Sequence, residues 1–160
     1  MQIRPYRPED SPAVWQILEP MLRAGETYAL PQNMTEDDAI AFWTSPEKQV
    51  FVAESDNQIL GTYFLKPNHL GGGSHIANCG YVTSPTATGR GVARTMCAHS
   101  LEHAKAEGFR AIQFNFVVST NTRAVLLWQS FDFVIVGTIP QGFLSPTLGY
   151  VDSLVMFRSL

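Results

Sequence analysis

Residues 88–94 (TGRGVAR) lie between an apolar segment with the pattern of a β-strand and an amphipathic segment with the pattern of a helix. A glycine-rich turn that opens a helix exposes several main-chain N–H groups in a small volume, and the helix dipole adds partial positive charge there. Arg90 and Arg94 can add charge-assisted hydrogen bonds. The segment therefore predicts a strand–turn–helix unit with an anion site suited to phosphate.

This motif alone leaves other interpretations open. It lacks the Gly-Lys-Ser/Thr ending of a nucleotide-binding P-loop, and it is not the spaced-glycine fingerprint of a dinucleotide fold. A surface turn whose glycine starts a helix is the structural alternative. The rest of the chain has to decide between this alternative and a phosphate site.

The length of 160 residues predicts a single domain, residues 1–160, that is large enough to bury a core. Hydrophobic residues make up 45% of the chain and charged residues 16%, which is typical of a soluble globular protein and leaves apolar surface for a homodimer. The net charge of −3 predicts no general attraction to nucleic acid or to an anionic membrane.

We expect a cytosolic location, because the charged N-terminal residues 1–10 do not resemble a signal peptide and no apolar run is long enough to span a membrane. Cys79 and Cys97 predict neither a disulfide framework nor a zinc site. His99 and His103 stand four residues apart without a third ligand, so no metal is predicted.

Hydrophobic periodicity and turn residues predict an alternation of strands and helices that indicates a mixed α/β sheet. A hairpin is predicted around Asp56 and Asn57, and a kink at Pro20. The predicted helices are residues 11–24, 35–43, 92–107 and 121–130. The predicted strands are residues 3–6, 49–55, 59–66, 75–83, 111–118, 134–139 and 150–158.

Two motifs in this order of elements resemble the GCN5-related N-acetyltransferase (GNAT) family. Gly91 and Ala93 match the family's glycine-rich cofactor motif, and Thr88 stands where arginine or glutamine is usual. A second segment resembles the family's Asn-x-x-Ala…Leu-Tyr-x-x-x-Gly-Phe pattern, with Asp132 where glycine is usual. Its residues here are Asn121, Ala124, Leu127, Trp128, Phe131 and Phe133.

The resemblance covers nearly the whole chain and implies the α/β GNAT fold. That fold has a mixed, mostly antiparallel sheet of about seven strands with about four helices, and two central strands splay apart. Residues 75–82 (HIANCGYV) and 114–117 (FNFV) are further similar to the branch that N-acetylates azetidine-2-carboxylate and related proline analogues. In that branch, asparagines at the positions of Asn78, Asn115 and Asn121 are associated with the site.

The family binds acetyl-CoA, so the resemblance gives the predicted anion site a ligand. The pyrophosphate would bind the amides of residues 89–94, and the pantetheine arm would pair with the main chain of residues 81–83. One amide near Val82 or Thr83 would face the thioester oxygen as an oxyanion donor. The residues expected to bind the cofactor are Tyr81, Val82, Thr83, Gly89, Arg90, Gly91, Val92, Ala93, Arg94, Asn121 and Trp128.

Two side chains that usually catalyse the reaction in this family are missing. The tyrosine that protonates the departing sulfur aligns with Trp128, which is not an acid, and the carboxylate base of some relatives aligns with Asn78. General acid–base catalysis accelerates a reaction about 10²- to 10⁴-fold, which corresponds to roughly 3–5 kcal/mol of the barrier. Positioning two bound reactants lowers the barrier by more, roughly 7–11 kcal/mol. An active enzyme is therefore expected, with Asn78 and Asn115 as catalytic groups that orient the acceptor. Structural hydrogen bonding is the alternative for both.

The acceptor is predicted to be the amine of a small molecule, such as a cyclic or toxic amino acid. In this family the loop between the first two helices covers the acceptor pocket, so Glu26 and Tyr28 are substrate-binding candidates. Residues 141–143 are expected in a further loop that lines the pocket, which in some relatives reaches it across a dimer interface. Other hypotheses are peptide N-terminal or antibiotic acetylation, and an acyl-CoA sensor without turnover. His75 as a base and Cys79 as an acylated nucleophile are weaker candidates.

Overall fold

The computed structural model describes residues 1–160 as one seven-stranded sheet with four helices and three short 3-10 turns. The strands are β1 (Gln2–Pro5), β2 (Gln49–Ser55), β3 (Gln58–Pro67), β4 (Ile76–Thr83), β5 (Ala111–Val118), β6 (Val134–Ser145) and β7 (Gly149–Ser159). The helices are α1 (Ser11–Ala24), α2 (Glu36–Trp43), α3 (Val92–Ala106) and α4 (Thr122–Gln129).

Short-range signals in the sequence account for most of these boundaries. Helix α1 ends at Gly25, whose φ of 64° suits the left-handed conformation of a helix C-cap. The Thr35 side chain caps α2 by accepting from the Asp38 amide at 3.2 Å. The hairpin between β2 and β3 turns at Asp56 and Asn57, which both have positive φ. The predicted hairpin is confirmed, and so are the predicted end of the first helix at residue 24 and the predicted helix that runs to residue 43.

The strand order is β1-β2-β3-β4-β5-β7-β6, and every neighbouring pair is antiparallel except β4 and β5. The parallel pair consists of only two registered positions, Ile76 with Ala111 and Ala77 with Ile112. Beyond Ala77 the two strands separate. The predicted mixed, mostly antiparallel sheet with splayed central strands is therefore confirmed.

Each face of the sheet carries its own hydrophobic core. Helix α3 contributes Met96 to the core on one face, which extends to Trp128 of α4. Helices α1 and α2 bury Leu18 and Trp43 on the opposite face. The Trp43 indole N–H donates to Thr62 at 3.0 Å, so the polar atom of this buried ring is satisfied. The separated strands thus open between two rigid layers.

Strand β6 is longer than predicted and corrects one expectation. It continues to Ser145 and keeps pairing with β7 after a register shift between Ile139 and Phe143. Residues 141–143 therefore lie in a bulged strand and not in a pocket-lining loop. Gln141 adopts a φ of 53° there, and its amide donates to the Asp152 carboxylate at 2.9 Å.

Candidate active site

The separated edge of β4 presents unpaired main-chain groups to the gap between β4 and β5. The hydrogen bond from Ser84 N–H to Leu60 O (2.8 Å) directs the even-numbered residues of this segment towards β3. Because successive residues of a strand direct their main-chain groups to opposite edges, the odd-numbered ones face the gap. The residues that offer N–H and C=O groups there are Cys79, Tyr81 and Thr83.

This alternation changes part of the predicted cofactor contact. Of the three residues expected to pair through their main chain, Tyr81 and Thr83 face the gap, whereas Val82 pairs with Thr62 of β3. The Val82 side chain is buried and lines the cavity instead. Cys79 joins the main-chain set. Its main-chain orientation follows from the alternation along a strand, because Cys79 lies two residues before Tyr81.

A cavity of about 480 Å³ lies in and around the gap, between the α1–α2 loop and α4. None of its lining residues carries a charged side chain, and most are apolar or aromatic. The structure brings eight of the predicted site residues together in this lining. They are Tyr28, Asn78, Tyr81, Val82, Thr83, Asn115, Asn121 and Trp128.

The predicted anion loop is built from two left-handed glycines, Gly89 with φ 78° and Gly91 with φ 76°. Neither glycine donates its amide to another main-chain group, and α3 begins at Val92, so the first helical amides also lack acceptors in the helix. No heavy atom lies within 4 Å of the position that a Cβ would take at either glycine. The free amides can therefore converge on an anion.

The two arginines of this loop are placed differently from each other. The Arg90 amide donates to Ala87 O at 3.2 Å, so Arg90 can contribute its exposed side chain but not its N–H. The Arg94 guanidinium donates to Ser130 Oγ at 3.1 Å and lies 5.2 Å from the centre of the Phe131 ring. Arg94 is therefore tied to the end of α4, next to the loop.

Helix α4 closes the gap from the β5 side. Asn121 caps it, accepting from the Ala124 amide at 3.4 Å, and also lines the cavity. Trp128 is buried with its ring 4.9 Å from Tyr81 and 5.0 Å from Phe114, measured between ring centroids. Trp128 therefore packs between Tyr81 of β4 and Phe114 of β5, where the two strands are separated.

Asn78 bridges the two strands where they begin to separate. Its Nδ2 donates to the main-chain carbonyl of Gln113 at 2.9 Å, one residue beyond the last registered pair. Because a carbonyl oxygen can only accept, this bond fixes which end of the amide faces β5. The Oδ1 atom of Asn78 is left as an oriented acceptor beside the cavity.

Asn115 belongs to a line of three carboxamides at the same end of the cavity. It accepts from Gln113 Nε2 at 2.9 Å and donates to Asn68 Oδ1 at 2.6 Å. Asn68 Nδ2 is buried without a partner. Asn68 and Gln113 cannot be identified as site residues from the sequence, because nothing distinguishes them from other polar residues until the fold brings them together.

Tyr28 reaches the gap from the α1–α2 loop. Its hydroxyl donates to the main-chain carbonyl of Tyr81 at 3.1 Å. Gly80 makes this approach feasible, because a Cβ at this position would lie 3.0 Å from the Tyr28 oxygen and 2.5 Å from the Phe64 ring. Burial raises the pKa of Tyr28 above its ordinary value, so the phenol stays neutral.

Glu26 lies outside the cavity lining and contacts the β6–β7 hairpin instead. Its two carboxylate oxygens accept from Ser145 Oγ at 2.9 Å and Thr147 Oγ1 at 3.0 Å. The α1–α2 loop is thereby tied to the tip of the hairpin. The substrate role expected for Glu26 stays a prediction, and its carboxylate has protein partners in this structure.

Removing this contact is expected to destabilise the fold. Glu26→Ala leaves the buried Ser145 hydroxyl without its acceptor, which costs on the order of 1–3 kcal/mol of unfolding free energy. Urea denaturation measures the change. Glu102→Ala, at an exposed position of α3, is the control and should stay within about 0.5 kcal/mol of the parent. Equal stability of both variants would contradict a structural role for Glu26.

The two cysteines are buried, and His99 has a hydrogen-bond partner outside the cavity. Burial raises the pKa of Cys79 and of Cys97 to about 12, so both thiols are protonated near neutral pH. His99 Nδ1 lies 2.6 Å from the Tyr63 hydroxyl on the α3 side of the sheet, and His75 is exposed before β4. Burial therefore favours a packing role for Cys79 over a role as an acylated nucleophile.

No group of three or more His, Cys, Asp and Glu side chains is arranged to hold a metal ion. None of the four helices has both the length and the apolar character needed to cross a lipid bilayer.

Comparisons with known proteins agree with this architecture. The model of the acetyltransferase (GNAT) family matches residues 12–133. The N-acetyltransferase aca1 of Schizosaccharomyces pombe is 31% identical over 151 residues, which cover 84% of this chain and 72% of that protein. A GCN5-related N-acetyltransferase from Kribbella flavida superposes with a TM-score of 0.94 at 41% identity, over 99% of this chain and 97% of that one.

A more distant structure shares the fold. The acetyltransferase yncA from Salmonella typhimurium, solved with acetyl-CoA, superposes with a TM-score of 0.87 at 18% identity, over 100% of this chain and 94% of that one. From the family match and the relatives together, the chain belongs to the GNAT family. It is an acetyl-CoA-dependent N-acetyltransferase.

Proposed function

We propose that the protein transfers the acetyl group of acetyl-CoA to the nitrogen of a small cyclic amino acid, of the class of azetidine-2-carboxylate, by direct attack in a ternary complex. The observation that carries this proposal is the uncharged cavity at the fork of β4 and β5, with the oriented Asn78 amide at its edge. The azetidine-2-carboxylate class rests on the resemblance of the Asn78, Asn115 and Asn121 segments.

The cofactor is proposed to bind along the β4 edge. The diphosphate would accept from the free amides of Gly89 and Gly91 and from the first amides of α3. The pantetheine arm would continue the sheet against the odd-numbered residues of β4, between Tyr81 and the α4 residues Asn121 and Trp128. A main-chain amide at Tyr81 or Thr83 would then stabilise the oxyanion.

The acceptor is proposed to be oriented by amides and not by charges. Asn78 Oδ1 would accept from the attacking amine, and the second N–H of Asn115 Nδ2 would donate to the acceptor carboxylate. Positioning of two bound reactants contributes roughly 7–11 kcal/mol to catalysis. This is more than the usual contribution of a general base, so Asn78 can serve where a carboxylate is missing.

The uncharged lining of the cavity also distinguishes between the alternative substrates. A polycationic aminoglycoside would find no carboxylate in the cavity, which disfavours antibiotic acetylation of that kind. A peptide N-terminus and a non-catalytic acyl-CoA sensor remain as alternatives, and an amine panel tests both.

The test is release of free thiol from acetyl-CoA with a panel of amines. The panel contains azetidine-2-carboxylate, cis-4-hydroxyproline, an alanine-initiated peptide and an aminoglycoside. We expect the two cyclic amino acids to give the highest kcat/KM. Preference for the peptide would overturn the proposed acceptor class, and tight acetyl-CoA binding without thiol release from any amine would support the sensor.

A cytosolic location is proposed as well. Cys79 and Cys97 are free and buried, as expected in a reducing compartment.

We also propose that the protein forms a homodimer through the free edge of β6. The β6 surface, defined as Val134, Ile135, Val136 and Ile139, exposes four large aliphatic side chains. Residues 134–145 contain no charged residue, so the edge lacks the charges that usually prevent strand pairing. A second copy related by a twofold axis presents the same edge, which makes antiparallel pairing self-complementary.

Val136→Glu is expected to separate the dimer, since Val136 is 58% exposed and a charge there is tolerated only in a monomer. Sedimentation equilibrium should give twice the chain mass of 17.7 kDa for the parent and the single mass for the variant. Leu70→Glu is the control, because Leu70 is 90% exposed away from β6, and it should stay dimeric. A parent of single mass would overturn the dimer.

A further inference from the structure

The CoA thiol formed in the reaction carries a proton that the departing sulfur acquires, and the usual donor of the family is replaced by Trp128. The Tyr28 phenol stands close to the expected reaction centre. Tyr28 lines the cavity, and its O–H lies 3.1 Å from the Tyr81 carbonyl, which faces the gap. Along the strand edge this carbonyl lies between the Tyr81 and Thr83 amides, the two proposed oxyanion donors.

The Tyr28 ring is positioned by one aromatic contact and by the hydrogen bond of its hydroxyl. It packs edge-on against Trp43 with ring centroids 6.2 Å apart, and Trp43 is itself fixed by its hydrogen bond to Thr62. The absence of a side chain at Gly80 lets the hydroxyl approach the main chain of β4. A hydroxyl positioned in this way beside the gap is suited to proton transfer.

We propose that the Tyr28 hydroxyl relays the proton of the attacking amine to the departing CoA sulfur. The nitrogen lone pair forms the C–N bond, and the C–S bond breaks with its electron pair going to sulfur. As the nitrogen loses a proton to the Tyr28 oxygen, the hydroxyl proton passes to the sulfur. The products are the acetylated amine and CoA thiol, and Tyr28 ends as it began.

The surroundings of Tyr28 favour a concerted proton relay over a stepwise mechanism in which Tyr28 first donates its proton and becomes a tyrosinate. No cation lines the cavity to stabilise a tyrosinate, and burial raises the pKa of the phenol. A concerted exchange avoids the charged form, because one proton arrives as the other leaves. The inference rests on the proposed transfer to an amine.

Tyr28→Phe tests the relay. We expect kcat to fall by about 10²-fold or more, the usual contribution of general acid–base catalysis, with the KM for acetyl-CoA changed less than about threefold. Tyr63→Phe is the matched control, because it also removes a buried phenol hydroxyl, one bonded to His99 outside the cavity. It should lower Tm comparably and leave kcat unchanged.

Rescue separates proton transfer from a structural role. In the double variant Tyr28→Phe, Trp128→Tyr, the phenol stands where the family usually has one, and kcat should recover at least tenfold over Tyr28→Phe alone. Unchanged kcat in Tyr28→Phe overturns the relay, and so does a loss that the second substitution does not restore.

These rates are measured with the best amine of the panel and, in parallel, as acceptor-free hydrolysis of acetyl-CoA. If no amine is acetylated, the proposed acceptor class fails. The hydrolysis rates of the parent and Tyr28→Phe still decide the relay, since Tyr28 would also pass a proton from an attacking water to the sulfur, and equal rates overturn it.

Discussion

Gly91→Val is expected to weaken acetyl-CoA binding by about 10²-fold, because it removes charge-assisted hydrogen bonds of roughly 1.5–3 kcal/mol each. Gly91 has φ 76°, a conformation that a β-branched residue adopts only with strain, so the loop must turn its amides away. Its Cβ position is open space in the structure, which the diphosphate would share with the new methyl groups. Isothermal titration with CoA measures the loss.

A control variant separates the effect of backbone strain from the effect of crowding the diphosphate. Gly71→Val is the matched control, since Gly71 also has a positive φ (56°) and open space at its Cβ position, but lies in the turn before β4. Both substitutions should cost about 1–3 kcal/mol of stability. Only Gly91→Val should reduce the affinity, and equal affinities in the two variants would remove the diphosphate from this loop.

Asn78→Ala is expected to lower kcat/KM for the best amine by about 10²-fold, the equivalent of one or two strong hydrogen bonds at the reacting nitrogen. The substitution removes the oriented Oδ1 acceptor. It also removes the bond to the Gln113 carbonyl that ties β4 to β5 at the fork. Steady-state thiol release with azetidine-2-carboxylate measures the effect.

Asn115→Ala provides the comparison, because the two asparagines are assigned different contacts. Asn115 is proposed to hold the carboxylate, so its removal should raise the KM for azetidine-2-carboxylate and leave azetidine itself unaffected. Asn78→Ala should impair both acceptors. If Asn78→Ala turns over both acceptors at the parent rate, its proposed role is wrong.

Much of the fold could be predicted because its signals are local. The cap at Thr35, the left-handed turn at Asp56 and Asn57 and the glycine at 25 each act within a few residues. The full length of β6 could not be predicted, because Pro140 and Gly142 are typical of loops. Pairing with β7 across a bulge overrides that local preference.

The sequence predicted that several candidate site residues lie together, but not the contacts that they make. Residues 78, 115, 121 and 128 all line the cavity, since motif spacing places them on strands and a helix that meet. The contacts of Asn68 and Tyr28 join residues 47 and 53 positions apart, and no period in the sequence encodes them. The Glu26 contact spans 119 residues and depends on the hairpin tip.

A crystal structure with coenzyme A bound tests the central claim most directly. We predict the diphosphate on the amides of residues 89–94 and the pantetheine arm between β4 and β5, hydrogen-bonded to Tyr81 or Thr83. A cofactor bound elsewhere, or β4 and β5 paired along their whole length with no room for the arm, would contradict the account.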